Sequence, residues 1–156
     1  MASVRLQAFD AVEAKLEIVV QALGWRTLVV NPRDELSEDE LNAIVFLYGG
    51  EPDPASLSGN AEVRFADFAV GVLVIEEDGA TPVERVMDAA MVAVADALLD
   101  ANDRQLGGLV DAVMQGAISE PVLGRGMNSG RIGGEQFMEF RIEYLGVEGD
   151  ASTVGP

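Results

Sequence analysis

The sequence predicts an α+β fold: a mixed, largely antiparallel sheet with two main helices packed on one face. Three observations carry that expectation. Apolar residues recur at three-to-four spacing in two segments, residues 3–23 and 81–101. Two other segments, 62–76 and 136–144, alternate or run apolar in the manner of strands. The predicted order, α, β, β, β, α, β, β, lacks the regular strand–helix–strand alternation of a parallel α/β domain.

The first helix is read from Phe9, Val12, Leu16, Val19 and Leu23, which share one helical face, and Gly24 follows as its stop. Trp25 to Asn31 is apolar and β-branched and is closed by Pro32, so it reads as a short strand. Arg33 to Glu40 is charged and loop-like, and Ser37-Glu38-Asp39-Glu40 has the form of a capping box, predicting one helical turn. Ala43 to Tyr48 follows as a strand. Gly49 to Asn60, with Pro52 and Pro54, is expected to be a long surface loop.

Glu62 to Glu76 is the strongest strand pattern. Val63 and Phe65 occupy one parity and Phe68, Val70, Val72 and Val74 the other, which predicts a bulge near Asp67. From Ala69 to Ile75 both faces are apolar, the pattern of a central strand covered on both sides. Thr81-Pro82-Val83-Glu84 then opens the second helix, with Thr as cap, Pro at the first helical position and Glu three residues after the cap.

That helix is expected to run to about Ala101, and Ala89, Val92, Ala93 and Ala95 make it apolar almost all round. One covered face does not use so much apolar surface. Either the sheet wraps it closely or a second subunit packs on it. For the second case the expected interface residues are Met87, Met91 and Ala95 on the helix and Val70 and Val72 on the strand.

After Gly107-Gly108 a strand is read over Leu109 to Ile118, and the glycine-rich Ser119 to Gly134 is read as a second long loop. Gln136 to Tyr144 alternates cleanly, with Met138, Phe140, Ile142 and Tyr144 inward. Residues 1–148 are expected to form a single domain and 149–156 a flexible tail.

The 156 residues carry 27 acidic and 10 basic side chains, a formal net charge of −17. Half the chain is close to apolar, at 49%, and a chain of this length can bury roughly 68–70% of its unfolded surface. Intrinsic disorder is therefore excluded. The ten basic residues are scattered, whereas a nucleic-acid reader needs them clustered to replace phosphate counterions.

The sequence contains no Cys and no His. Thiol nucleophiles, disulfides, the usual zinc sites and a Ser-His-Asp triad are all excluded within one chain. The acidic runs Glu76-Glu77-Asp78 and Asp34 to Glu40 lack the spacing of a calcium loop and read as solvated charge. Gly124-Arg125-Gly126 with Asn128-Ser129-Gly130 is neither a dinucleotide fingerprint nor a P-loop, having serine at 129, no following Lys and a strand downstream. Lys15, the sole lysine, lies between Glu13 and Glu17 and reads as an ordinary surface residue. No catalytic residue, cofactor or metal is assigned, and an enzyme is not expected.

The first ten residues lack the apolar run of a secretory signal, and the nearly apolar stretch Ala89 to Leu99 is too short to span a bilayer. An intracellular product without a membrane partner is expected.

Beyond single motifs, the order of elements is informative. An N-terminal helix is followed by the acidic turn Asp34-Glu35-Leu36-Ser37, a long strand and a capped Ala-rich helix. Then come Leu106-Gly107-Gly108-Leu109-Val110-Asp111 and the closing strand Phe137-Met138-Glu139-Phe140-Arg141-Ile142-Glu143-Tyr144. Over residues 4–146 this resembles the tail terminator, or tail completion, proteins of long-tailed bacteriophages, of the lambda type.

The resemblance implies a structural virion protein that forms a ring, expected to be a homohexamer, on the end of the tail tube. There it stops tube polymerisation and presents the surface for head–tail joining. The implied partners are other copies of the chain, the major tail tube protein and a head–tail connector or stopper protein. DNA passes through the lumen without specific binding, which an acidic lining suits. The implied location is the tail–neck junction of the virion, with assembly in the host cytoplasm. Loops 49–60 and 119–134 are the expected contacts with tube and connector, through Glu51, Asp53, Arg125, Asn128 and Arg131. The competing readings are another neck protein, such as a head-completion or stopper ring, and an acidic DNA mimic that binds a basic protein.

Overall fold

Ser3 starts the first helix by accepting a hydrogen bond from the Leu6 amide at 3.1 Å, and Gly24 ends it in the left-handed region at φ 71°. A computed structural model describes residues 3–57, 59, 61–77, 81–125, 130–147 and 150–154, with the backbone alone for 125, 147 and 150–154. Along it, α1 (Val4–Ala22) leads to β1 (Thr27–Val30), β2 (Ala43–Tyr48), β3 (Ala55–Ser56) and β4 (Ala61–Ile75). Then follow α2 (Val83–Leu98), β5 (Ala112–Ile118), β6 (Val122–Arg125), β7 (Ile132–Val147) and β8 (Asp150–Val154). The predicted turn at 37–40 is present as a single 3₁₀ turn, with the Ser37 amide donating to Glu40 Oε1 at 3.2 Å.

All eight strands join one sheet, with the order β1-β2-β4-β7-β5. The β1–β2 pair is parallel and the other pairs are antiparallel. Strand β3 continues the line of β2 along β4, while β6, β5 and β8 share the outer side of β7. Both helices cover the same face. The α+β class expected from the sequence is the one observed.

Pairing of β4 with β7 runs residue for residue from Ala61 opposite Val147 to Ile75 opposite Gly133. Even-numbered residues of both strands therefore share the helix-covered face. There Ala66, Phe68, Val70, Val72 and Val74 meet Met138, Phe140, Ile142 and Tyr144, with Ile44 and Phe46 of β2 alongside. From α1, Phe9 stands edge-on to Phe46 and Phe68 at centroid distances of 5.7 and 5.8 Å, and Phe68 stacks on Phe140 at 5.2 Å. Each of these rings, fully buried, contributes about 1.5–3 kcal/mol from apolar transfer.

Several expectations are corrected. No bulge interrupts β4 at Asp67; Val63 and Phe65 simply lie on the face away from the helices. That face is not covered throughout, for Ala69 and Leu73 remain half-exposed on it. In α2, Pro82 stands at the cap itself, its carbonyl accepting from the Arg85 amide at 3.0 Å, and the helix ends at Leu98, short of Ala101.

The two predicted loops contain strands. Ala55 and Ser56 pair with β4, and 119–134 contains β6 and the start of β7. The glycines that make 133–134 read as a loop are strand residues with a packing reason: a β-carbon at Gly134 would meet the Met87 sulfur and Leu123. Residues 150–154, expected to be a flexible tail, form β8 against the end of β7.

Lys15 is also more than a surface charge. Its ammonium lies 3.0 Å from Asp103 Oδ2 and donates to the Ala97 carbonyl at 3.3 Å, so it fastens α1 to the end of α2. The Gly107 amide donates to the other Asp103 oxygen at 2.8 Å. That amide and then Lys15 hold the Asp103 carboxyl below the usual carboxylate range.

Two outcomes follow. Because its folded pKa is depressed, Asp103 contributes stability above its ordinary value near 3.9, and that contribution is lost as pH falls through the folded value. In thermal melts, Asp103→Asn should melt below the native chain at about pH 5, and the gap should close towards about pH 2. The second outcome concerns Gly71, where a β-carbon would overlap the Phe137 ring. In urea titrations Gly71→Ala should destabilise by about 1–3 kcal/mol. With Phe137→Ala present the same change should become neutral or stabilising, because a strand glycine costs about 0.5–1 kcal/mol relative to alanine.

Candidate assembly surfaces

Four of the five residues expected at a subunit interface are enclosed within the subunit. Met87 and Met91 are 1% and 7% exposed and Val70 and Val72 are 0%. They fill the layer between α2 and the sheet, which the alanines of α2 allow to close tightly. Side chains already enclosed in this way are not on the subunit's surface. Ala95 is half-buried, and the outward side of α2 instead presents Ala89 and Val92.

The two predicted contact loops leave opposite ends of the β4–β7 ladder. Residues 49–60 adjoin the Ala61 end and the β6–β7 connection adjoins the Ile75 end, about 50 Å apart at strand rise. In the first loop Glu51 and Asp53 are exposed. The Glu51 carboxylate is 3.4 Å from Arg5 Nε, while Arg5 also donates to the Gly49 carbonyl at 2.7 Å and lies 4.8 Å over the Phe9 ring. Arg5 thus pins the root of the loop to α1.

In the second loop, Arg131 is a fastening within the subunit. Its Nε donates to the Glu76 carbonyl at 2.8 Å and Nη2 donates to the same oxygen, while the Ile132 amide donates to Glu76 Oε1 at 2.9 Å. The Arg125 side chain and Asn128 lie outside the described residues.

Sequence reading found β5 but missed that the sheet's outer edge continues in β6. Val113 near the start of β5 is covered, its amide donating to the Arg104 carbonyl at 3.1 Å and its carbonyl accepting from Arg104 Nε at 2.9 Å. Beyond that point residues 115–124 are exposed, with Ile118 at 52%, Val122 at 60% and Leu123 at 46%. No strand lies outside them among the described residues. At the other edge β1 pairs, among the described residues, with β2 alone. Following the pairings across the sheet, β1 and β5 run in opposite directions. Ile118 was read as the end of a strand, but Pro121 and Gly124 on either side of Val122 and Leu123 read as loop punctuation.

Tyr48 and Tyr144 have their hydroxyl pKa values raised, first by burial and then by nearby carboxylates, Glu13 and Asp10 for Tyr48 and Glu51 for Tyr144. Neither is set up as a base. Among the described residues no group of three or more Asp or Glu is gathered to hold a metal ion, and no helix is long and apolar enough to cross a membrane.

No family model and no curated protein matches the chain. Among solved structures it is similar to a chain of one titled "Virion of native gene transfer agent (GTA) particle". The two are 18% identical, the match covers 85% of this chain and 91% of that one, and the TM-score is 0.43. A likeness of that strength fixes no role.

The Arg131 fastening has a measurable consequence. Arg131→Met should lower stability in urea by about 1–2 kcal/mol through the lost charge-assisted bonds and leave the oligomeric state in sedimentation unchanged.

Proposed function

We propose that this chain is a structural virion protein without enzymatic activity, which closes head to tail into a ring that caps the tail tube of a long-tailed phage. The ring halts tube polymerisation and offers the surface on which the head connector or stopper docks. The observation that supports this reading most is the pair of open sheet edges: they lie on opposite sides of one sheet, differ in sequence and run in opposite directions. Unlike edges favour a heterologous contact, β5–β6 of one copy against β1 of the next, and such contacts make a ring when the rotation closes. Six copies is the number that the terminator resemblance implies.

Two further features agree with it. The segment 49–60 and the β6–β7 connection adjoin opposite ends of the long ladder, as they must if one meets the tube and the other the connector. A net charge of −17 suits a lumen at the tail–neck junction through which DNA slides without adhering.

The test has two parts. Tails from a phage genome with an early stop codon in this gene should be overlong and headless in electron micrographs. Tails of normal length that fail to join heads would move the protein to a connector-side neck position, and intact infectious particles would overturn the virion reading. In the native gene, Ile118→Asp with Val122→Asp should leave the melting temperature of the subunit unchanged and abolish rings in native mass spectrometry.

A further inference from the structure

The face of the sheet away from the helices contains a hollow of about 510 Å³. Its shape comes from two neighbouring rows of residues that cross the strands. One row is Leu47, Ala69, Glu139 and Gly116; the next is Gly49, Asp67, Arg141 and Met114. In the first row Ala69 and Gly116 offer almost no side chain, and Glu139 stands between them as the one charged group.

Both long sides of this row are walled. On one side the Phe137 ring lies across Gly71. On the other, Arg141 forms a two-pronged pair with Asp67, Nε to Oδ1 at 2.7 Å and Nη2 to Oδ2 at 3.1 Å, and stands 5.3 Å over the Phe65 ring. Rows on one face repeat every two residues, so the Phe137 and Arg141 rows are about 13 Å apart. An α-helix with its side chains is about 10–12 Å across. The floor spans β2, β4, β7 and β5, about 14 Å at ordinary strand spacing, which is the length of nine or ten helical residues.

The charge on this face has one sign left over. Arg141 is matched by Asp67, but Glu135, Glu139 and Glu143 of β7 point to the same face and form no ion pair among the described residues. A second copy of the chain is a poor occupant, because its exposed Arg26, Arg33 and Arg85 are dispersed and present no basic helix face.

We propose that this trough takes a short amphipathic helix of a basic partner protein, laid across the strands. Its small and apolar side chains settle on Ala69 and Gly116 beside Leu47 and Met114, and a Lys or Arg on its underside meets Glu139 between them. The trough is built from β2, β4, β5 and β7 alone, so this binding does not require the chain to cap a tail.

The experiment uses the full chain with methyl-labelled methionine and two helix-forming peptides of about 12 residues, one of Leu, Ala and Lys and one with Glu in place of Lys. The Lys peptide should shift the Met114 methyl resonance saturably, and the Glu peptide should not. Glu139→Lys, at an exposed position, should weaken the Lys peptide about tenfold. Ala69→Leu should block it, with the circular dichroism spectrum of both variants unchanged. Equal binding of the two peptides, no shift at Met114, or full affinity in Glu139→Lys would overturn the proposal. So would concentration-dependent self-association that Ala69→Leu abolishes, since the trough would then belong to a second copy.

Discussion

The whole molecule depends on one register, that of β4 against β7. Once Ala61 faces Val147, every even-numbered side chain of both strands points to the helices and every odd one away. A slip by one residue would send Phe68, Val70, Met138 and Phe140 into water. Three cross-strand pairs of different chemistry hold against that slip: the stacked rings of Phe68 and Phe140, the Phe137 ring seated on Gly71, and the forked pair of Asp67 with Arg141. Strands β2, β5, β6 and β8 then attach to a ladder already fixed, and α1 and α2 cover the only face that is apolar along its full length.

The scarcity of positive charge shapes the surface as much as the core. Arg5, Lys15, Arg104, Arg131 and Arg141 each bind a carboxylate or carbonyl and tie one part of the chain to another. Most are at least partly exposed, so each pair is worth little alone in salt solution. Their shared effect is geometric, since Arg5, Lys15, Arg104 and Arg131 anchor loop roots and turns and Arg141 ties β7 to β4. What remains for solvent is a surface dominated by acidic side chains.

Much of the fold was legible in the sequence. Helix α1, the turn at 37–40, the limits of β2 and the inward set of β7 could all be read from periodicity and capping residues, because those features are local. What escaped was non-local. Val63 and Phe65 changed parity and so imitated a bulge, when they are apolar residues on the second face of a straight strand. Gly133 and Gly134 imitated a loop because the neighbours that crowd them, the Val74 carbonyl for Gly133 and Met87 with Leu123 for Gly134, are on other elements. The apolar excess of α2 was real, yet its large residues turned inward and only Val92 and alanine were left outside. Arg131 and Lys15 looked like solvated charges because their partners, a carbonyl at 76 and a carboxylate at 103, are distant in sequence or set by a turn.

Gly71 illustrates how such a partnership is inherited. Its missing side chain is the socket for another residue's ring, so the two positions form a single unit of variation. A lineage that drifts to alanine at 71 keeps its fold at little cost only after the ring at 137 has shrunk. The reverse order passes through an intermediate that natural selection sees as damaged. Among descendants of this sequence, glycine at 71 should therefore track an aromatic residue at 137, although neither side chain touches the helix-covered core.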